Sequence, residues 1–186
     1  MTAHPVIRGL TAADWGGILA LEREAYAPLG LSEDQAVLRS KAAASPGTCF
    51  VLRTEEATVG GYLLALPSPP RLPPTWGRAE GGRVVSENLH IHDLVVSPLL
   101  RGRGLARRLV GHLEDAARGR GHTSVSLVAV GGADRFWAAR GYSAEPLVAV
   151  TDYDAAAVYM SRSLRPQGRL PGLHNTPVLS PPHSRS

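Results

Sequence analysis

Two histidines two residues apart, His90 and His92, lie in an apolar stretch with strand character, Glu87 to Val96. On a strand, side chains at i and i+2 leave the same face roughly 6 to 7 Å apart, so the two imidazoles should stand side by side. Imidazole, with a reference pKa of about 6.5, suits the removal of a proton from an ammonium group, directly or through water. The freed nitrogen is then a nucleophile. Plainer readings stand beside this one. The pair could be two half-exposed sheet residues, or half of a metal site, for which Asp93, expected on the opposite face, offers no third ligand. Glu87 is an alternative base a few residues upstream.

Beyond Ser97 and Pro98 the chain reads Arg101-Gly102-Arg103-Gly104-Leu105-Ala106, and a helix should start inside that run. Glycines let backbone N–H groups approach a ligand, and a helix N-terminus adds unpaired donors and about half a positive charge. A pyrophosphate suits such a place, and the arginines reinforce it. The alternative is a tight strand-to-helix turn that is merely basic. The run lacks the Gly-Lys-Ser/Thr ending of a Walker loop and the spacing of a GxGxxG dinucleotide fingerprint.

The elements that must position these residues can be read from pattern. Pro5 to Gly9 predicts a short strand. Thr11 with Asp14 reads as a capping box opening a helix, and Ser32 with Gln35 as a second one that stops before Pro46. Strands are predicted at 48–53, 58–66 and 87–96, then an amphipathic helix at 103–118 with Leu105, Leu109, Leu113 and Ala117 on one stripe. A buried strand at 123–130, a short helix at 133–140, a strand near 147–150 and a last one at 158–164 follow. Residues 67 to 83 hold five prolines and three glycines, a long loop of the kind that covers a site. The order predicts an α/β fold, a mixed sheet with helices on both faces.

Composition narrows the setting. The chain has 186 residues, of which 44% are hydrophobic and 19% charged, values typical of one globular domain with an appendage. The boundary is expected at residue 164, followed by a basic Pro/Gly/Ser-rich tail, 165–186, with no apolar period. No stretch approaches the roughly 18 to 20 apolar residues of a membrane helix, and the first ten residues lack secretory features. A cytoplasmic protein without membrane contact is expected. Cys49, the single cysteine, excludes an internal disulfide framework and reads as a small buried hydrophobe. The net charge of +4 is local: six arginines against two acids between Leu99 and Gly121, and four arginines with no acid from Arg162 onward. The remainder is acidic. Without an aromatic stacking platform or a basic helix this is a weak case for nucleic acid, which is not expected as a partner.

Taken with its flanking strand and helix, the Arg101-x-x-Gly104-x-Ala106 run resembles the acetyl-CoA signature of the GNAT family of N-acetyltransferases, and Ala133 to Tyr142, ADRFWAARGY, is similar to the segment that closes the site there. The resemblance spans about residues 5 to 164. It implies a sheet splayed at the fourth strand, with acetyl-CoA as co-substrate and no metal. Leu94, Val95 and Val96 would pair their backbone with the pantetheine. Arg101 belongs to the signature, and the amides of Gly102, Arg103, Gly104, Leu105, Ala106 and Arg107 would hold the pyrophosphate. Trp137 takes the position where many members carry a tyrosine that protonates the leaving thiolate, and an indole is not a useful acid. It would instead line the cofactor, and either Tyr142 or Tyr26 serves as the acid or the thiolate leaves without one.

Within the family the likeness is strongest to arylalkylamine N-acetyltransferases, through His90-Ile91-His92 before Leu94-x-Val96, and through Glu22 to Tyr26 with Leu29-Gly30 behind. The resemblance thus implies acetyl transfer to a small primary amine by direct attack, with His90 and His92 as the proton relay. A noncatalytic coenzyme A sensor and an acyltransferase acting on protein amines are the alternatives.

Overall fold

A computed structural model describes residues 5–56, 58–153 and 155–165. The chain runs β1 (Val6–Gly9), α1 (Trp15–Tyr26), α2 (Gln35–Ala44), β2 (Phe50–Arg53), β3 (Val59–Pro67), β4 (Asn88–Val96), α3 (Leu105–Gly119), β5 (Ser124–Ala129), α4 (Asp134–Ala138), β6 (Ser143–Ala144) and β7 (Val158–Ser163). The strands form one mixed sheet in the order β1-β2-β3-β4-β5-β7-β6. Among the described residues only β4 and β5 pair in parallel.

The two faces carry separate cores. Leu105, Leu109, Val110, Leu113 and Ala117 turn the α3 stripe onto Leu63, Ala65, Leu89, Ile91 and Val125, and α4 joins them through Trp137. On the other face Trp15, Ile18 and Leu21 of α1 and Leu38 and Ala42 of α2 cover Val51, Tyr62, Leu64 and Val95. Each fully buried leucine contributes about 1.5 to 3 kcal/mol. Cys49 lies in this second core, as its residue type suggests.

The start of α1 is fixed electrostatically. Asp14, fully buried, accepts bonds from both guanidinium nitrogens of Arg8 (2.7 and 2.8 Å), from Arg53 (3.1 Å) and from the Thr11 N–H (2.9 Å). The Arg8 bonds hold its carboxyl well below the usual range. The second helix starts differently from the capping box expected at Ser32. Asp34 is its N-cap, and the Ser32 hydroxyl instead donates to Glu22 (2.7 Å). No strand forms at 147–150: Pro146 removes a backbone donor, Leu147 is fully exposed, and the edge pairing with β7 is made by Ser143 and Ala144. Of the expected tail, residues 166–186 lie outside the described residues.

The sheet opens between β4 and β5. Their ladder covers only Asn88–Ile91 against Ser124–Leu127, while β4 continues beside β3 to Val96 and β5 beside β7 to Ala129. At the opening, Leu64 faces Asp93 but Ala65 faces Ile91, so His92 is one extra residue in β4. A bulge of this kind bends the strand and leaves its extra residue unpaired.

Candidate active site

The bulge changes which side chains share a face. Before it, His90 is opposite Leu66; after it, Asp93 is opposite Leu64, on the α1/α2 side of the sheet. The strict alternation that would send Asp93 to the opposite face is therefore broken, and His90, His92 and Asp93 line one pocket with Tyr26, Glu33, Trp76 and Tyr153. That pocket holds about 30 Å³, room for roughly one water.

The two histidines have different surroundings. His90 is 2% exposed, and its Nδ1 lies 3.0 Å from Ser126 Oγ. Ser126 also accepts a bond from the Asn88 amide (2.8 Å), and when it donates its own proton to Nδ1 the His90 proton is on Nε2. Burial, together with the charges of His92 and Lys41, pushes His90 down to about 3. It stays neutral. His92, by contrast, holds the Glu33 carboxylate through Nε2, and its buried Nδ1 has no partner among the described residues. In the neutral imidazole with its proton on the Glu33 side, Nδ1 carries a free lone pair. Glu33 is itself placed by Glu22, whose carboxylate accepts the Glu33 N–H at 2.8 Å. Burial works to raise the Glu33 carboxyl, and the bond and charge of His92 outweigh it, leaving it below its ordinary range.

Asp93 accepts the Tyr62 hydroxyl (3.0 Å), and burial raises its carboxyl to about 6. Burial and the charge of Asp93 raise the Tyr26 phenol well above its ordinary value. Tyr153 is raised too, chiefly by burial.

About 10 Å further along β4, three residues from Asp93 to Val96, lies the second half of the site. Val96, Leu100 and the whole run Arg101 to Arg107 line one cleft of about 690 Å³ with Phe136, Ala139 and Arg140. Gly102 and Gly104 hold φ of +76° and +70°, the left-handed region that favours glycine, and Gly104 caps α3. A Cβ on Gly102 would meet nothing within 4 Å, so its backbone faces open space. Among the described residues no acid pairs with Arg101, Arg103 or Arg107. Left-handed glycines, a helix N-terminus and three uncompensated guanidinium groups suit a polyphosphate. From His92 onward β4 has no ladder partner on its β5 side, so the backbone edge at Leu94, Val95 and Val96 is available along the opening.

Three expected residues lie elsewhere. Tyr142 is buried under α3, where its hydroxyl donates to Glu114 (3.1 Å), itself gripped by Arg162, so it does not face the opening. Trp137 packs edge-on between Phe136 and Tyr142 in the α3 core, and Phe136 is the aromatic on the cleft. Glu87 is exposed and paired with Arg165 at the far end of β4. Cys49 has its thiol pushed up to about 12 by burial, which removes it as a nucleophile. Trp76 was not singled out by pattern, and neither Glu22 nor Glu33 was read as a partner of the histidines. A lone tryptophan in a Pro/Gly-rich loop was the available signal.

Residues 15–142 match the model of the acetyltransferase (GNAT) family, and the chain belongs to that family, an enzyme class of N-acyltransferases. Its fold is shared with Ard1 from Thermoplasma volcanium (18% identity, 87% of this chain and 98% of that one, TM-score 0.64). The ribosomal-protein-S18-alanine N-acetyltransferase from Escherichia coli is similar as well (17%, 89% and 97%, 0.61), as is the GNAT-like decarboxylase GphF in complex with isobutyryl-CoA (21%, 86% and 100%, 0.69). No curated protein matches the sequence. These comparisons support the family and not the arylalkylamine subgroup within it.

Proposed function

We propose that the protein transfers acetyl from acetyl-CoA to a small primary amine, with His92 as general base. The observation that carries this reading is the buried, unpartnered Nδ1 of His92, whose other nitrogen is held by Glu33. Acetyl-CoA supplies the activated acyl group. Arg101, Arg103 and Arg107, with the amides of Gly102 to Arg107, would hold its pyrophosphate, and the free edge of β4 at Leu94 to Val96 its pantetheine arm.

An amine arrives as an ammonium, and the buried carboxylates of Asp93, Glu33 and Glu22 favour that charge in the pocket. Its proton passes to Nδ1 of His92 while Glu33 stabilises the imidazolium, as a carboxylate does behind a catalytic imidazole. The nitrogen lone pair is then free to attack the acyl carbon. His90 stays neutral and presents its Nε2 proton to the pocket. Tyr26, a pocket-lining phenol that burial keeps neutral, would return a proton to the departing thiolate.

A panel of short primary amines, scored by release of free thiol, tests the reading. Release with at least one amine is expected. Tight acetyl-CoA binding with no release across the panel would overturn it in favour of a noncatalytic coenzyme A sensor.

A further inference from the structure

We propose that Trp76, carried on the strap of residues 68–87 and latched by Lys41 and Glu33, determines which amines reach His92. The inference rests on the amine pocket proposed above.

The pocket of about 30 Å³ has room for one water, whereas small-ligand sites occupy roughly 300 to 1,000 Å³, so an amine bearing a carbon chain requires one wall to move. Most walls cannot. His90, His92 and Asp93 belong to the central strand β4, Val128 and Val130 lie on or just beyond β5, and Tyr26 ends α1. Two large walls lie outside helix and strand, Tyr153 between β6 and β7 and Trp76 in the segment that links β3 to β4, and Trp76 is the one whose neighbour Gly77 bonds the carboxylate that holds His92.

That segment is held by a few polar contacts to the α1/α2 side. The Trp76 indole N–H donates to the Leu31 carbonyl (3.1 Å), and the Gly77 N–H to Glu33 Oε1 (2.6 Å), at a φ of +70° that favours glycine. Lys41, the only lysine of the chain, is fully buried in α2 and donates to the carbonyls of Thr75 (3.3 Å) and Arg78 (3.1 Å) and to Glu80 (3.3 Å). Ser40 accepts the Glu80 N–H (2.9 Å). Beyond the latch, residues 81–85 are exposed and bond to nothing among the described residues. Trp76 can therefore withdraw when these six contacts break, without unfolding the sheet.

The latch also reaches the base. One carboxylate oxygen of Glu33 takes Gly77 and the other takes His92. Docking of the strap fixes the group that orients His92, so the amine that fits beneath Trp76 also meets an oriented base. Trp76 is a specificity-determining residue, and Lys41 is a positioning residue that acts through it.

The test compares ethylamine with phenethylamine as acceptors for wild type, Trp76→Ala and Lys41→Met, together with acetyl-CoA affinity. Trp76→Ala should raise kcat/KM for phenethylamine relative to ethylamine at least 10-fold, with acetyl-CoA affinity within twofold of wild type. An unchanged ratio, or an equal loss on both amines, overturns the proposal. Lys41→Met should shift the ratio in the same direction and speed tryptic cleavage after Arg78 at least 10-fold, identified by fragment mass. Cleavage at the wild-type rate would refute the latch. If no variant acetylates either amine, the functional reading falls, and cleavage alone then decides the latch.

Discussion

His90 and Asp93, three residues apart on one strand, are pushed in opposite directions by the same burial, and this makes a measurable pair. Folded His90 binds its proton only at about 3, whereas an unfolded histidine binds it at about 6.5. The folded pKa is depressed, so the associated stability is present above pH 6.5 and is lost as pH falls. Between pH 7 and 4.5 that loss is about 3 kcal/mol, at 1.36 kcal/mol per unit. Asp93 has the reverse sign. Its folded value of about 6 exceeds the ordinary 3.8, so its share of stability is complete below 3.8 and falls as pH rises through 6. Acidification from pH 7 to 4.5 therefore returns about 2 kcal/mol. Urea unfolding followed by circular dichroism at both pH values reads each term as a difference from wild type. The deficit of His90→Gln relative to wild type should shrink by about 3 kcal/mol at pH 4.5. The advantage of Asp93→Asn should shrink by about 2 kcal/mol. A His90→Gln offset that is equal at the two pH values would show that His90 titrates normally, and the assignment of His92 alone as base would lose its reason.

Two further outcomes follow from the opening and its rim. Gly104→Glu places a side chain on a left-handed residue, which costs about 1 to 2 kcal/mol of stability, and sets a negative charge where the pyrophosphate would lie. It should also abolish most of the roughly 2.7 kcal/mol stabilisation that acetyl-CoA gives at a hundred times its dissociation constant, read as a thermal shift. Tyr26→Phe should lower kcat about 10-fold or more with little change in acetyl-CoA affinity, whereas Tyr142→Phe should leave kcat unchanged and cost about 1 to 3 kcal/mol in unfolding by removing one donor from the buried Glu114 carboxylate, which keeps Arg162. Equal rate losses in the two variants would contradict the placement of the acid.

The elements that are regular along the chain were legible because their periods are. The α3 stripe and the strand-loop-helix around Arg101 to Ala106 appear where the pattern puts them, within two residues. The pairing of His90 with His92 on one face was also legible, but for an incomplete reason. A strand of uninterrupted alternation would have separated them from Asp93, and the bulge at His92 brings all three together. One inserted residue leaves no mark in composition. Glu33 was hidden for another reason: an acid beside a helix start reads as a solvated end, and only the fold shows it buried between Gly77 and His92. Trp137 and Tyr142 were misplaced because the resemblance fixes their order along the chain and not the rotation of α4, which turns Trp137 into the core and Phe136 to the cleft.

The measurement that bears most directly on the central claim is single-turnover acetyl transfer by His92→Gln beside His90→Gln, with acetyl-CoA affinity measured in both. His92→Gln should lose about 10²-fold or more in rate, and His90→Gln less than 10-fold, with affinity within twofold of wild type in each. A His92→Gln enzyme that keeps its full rate and pH profile would contradict the account.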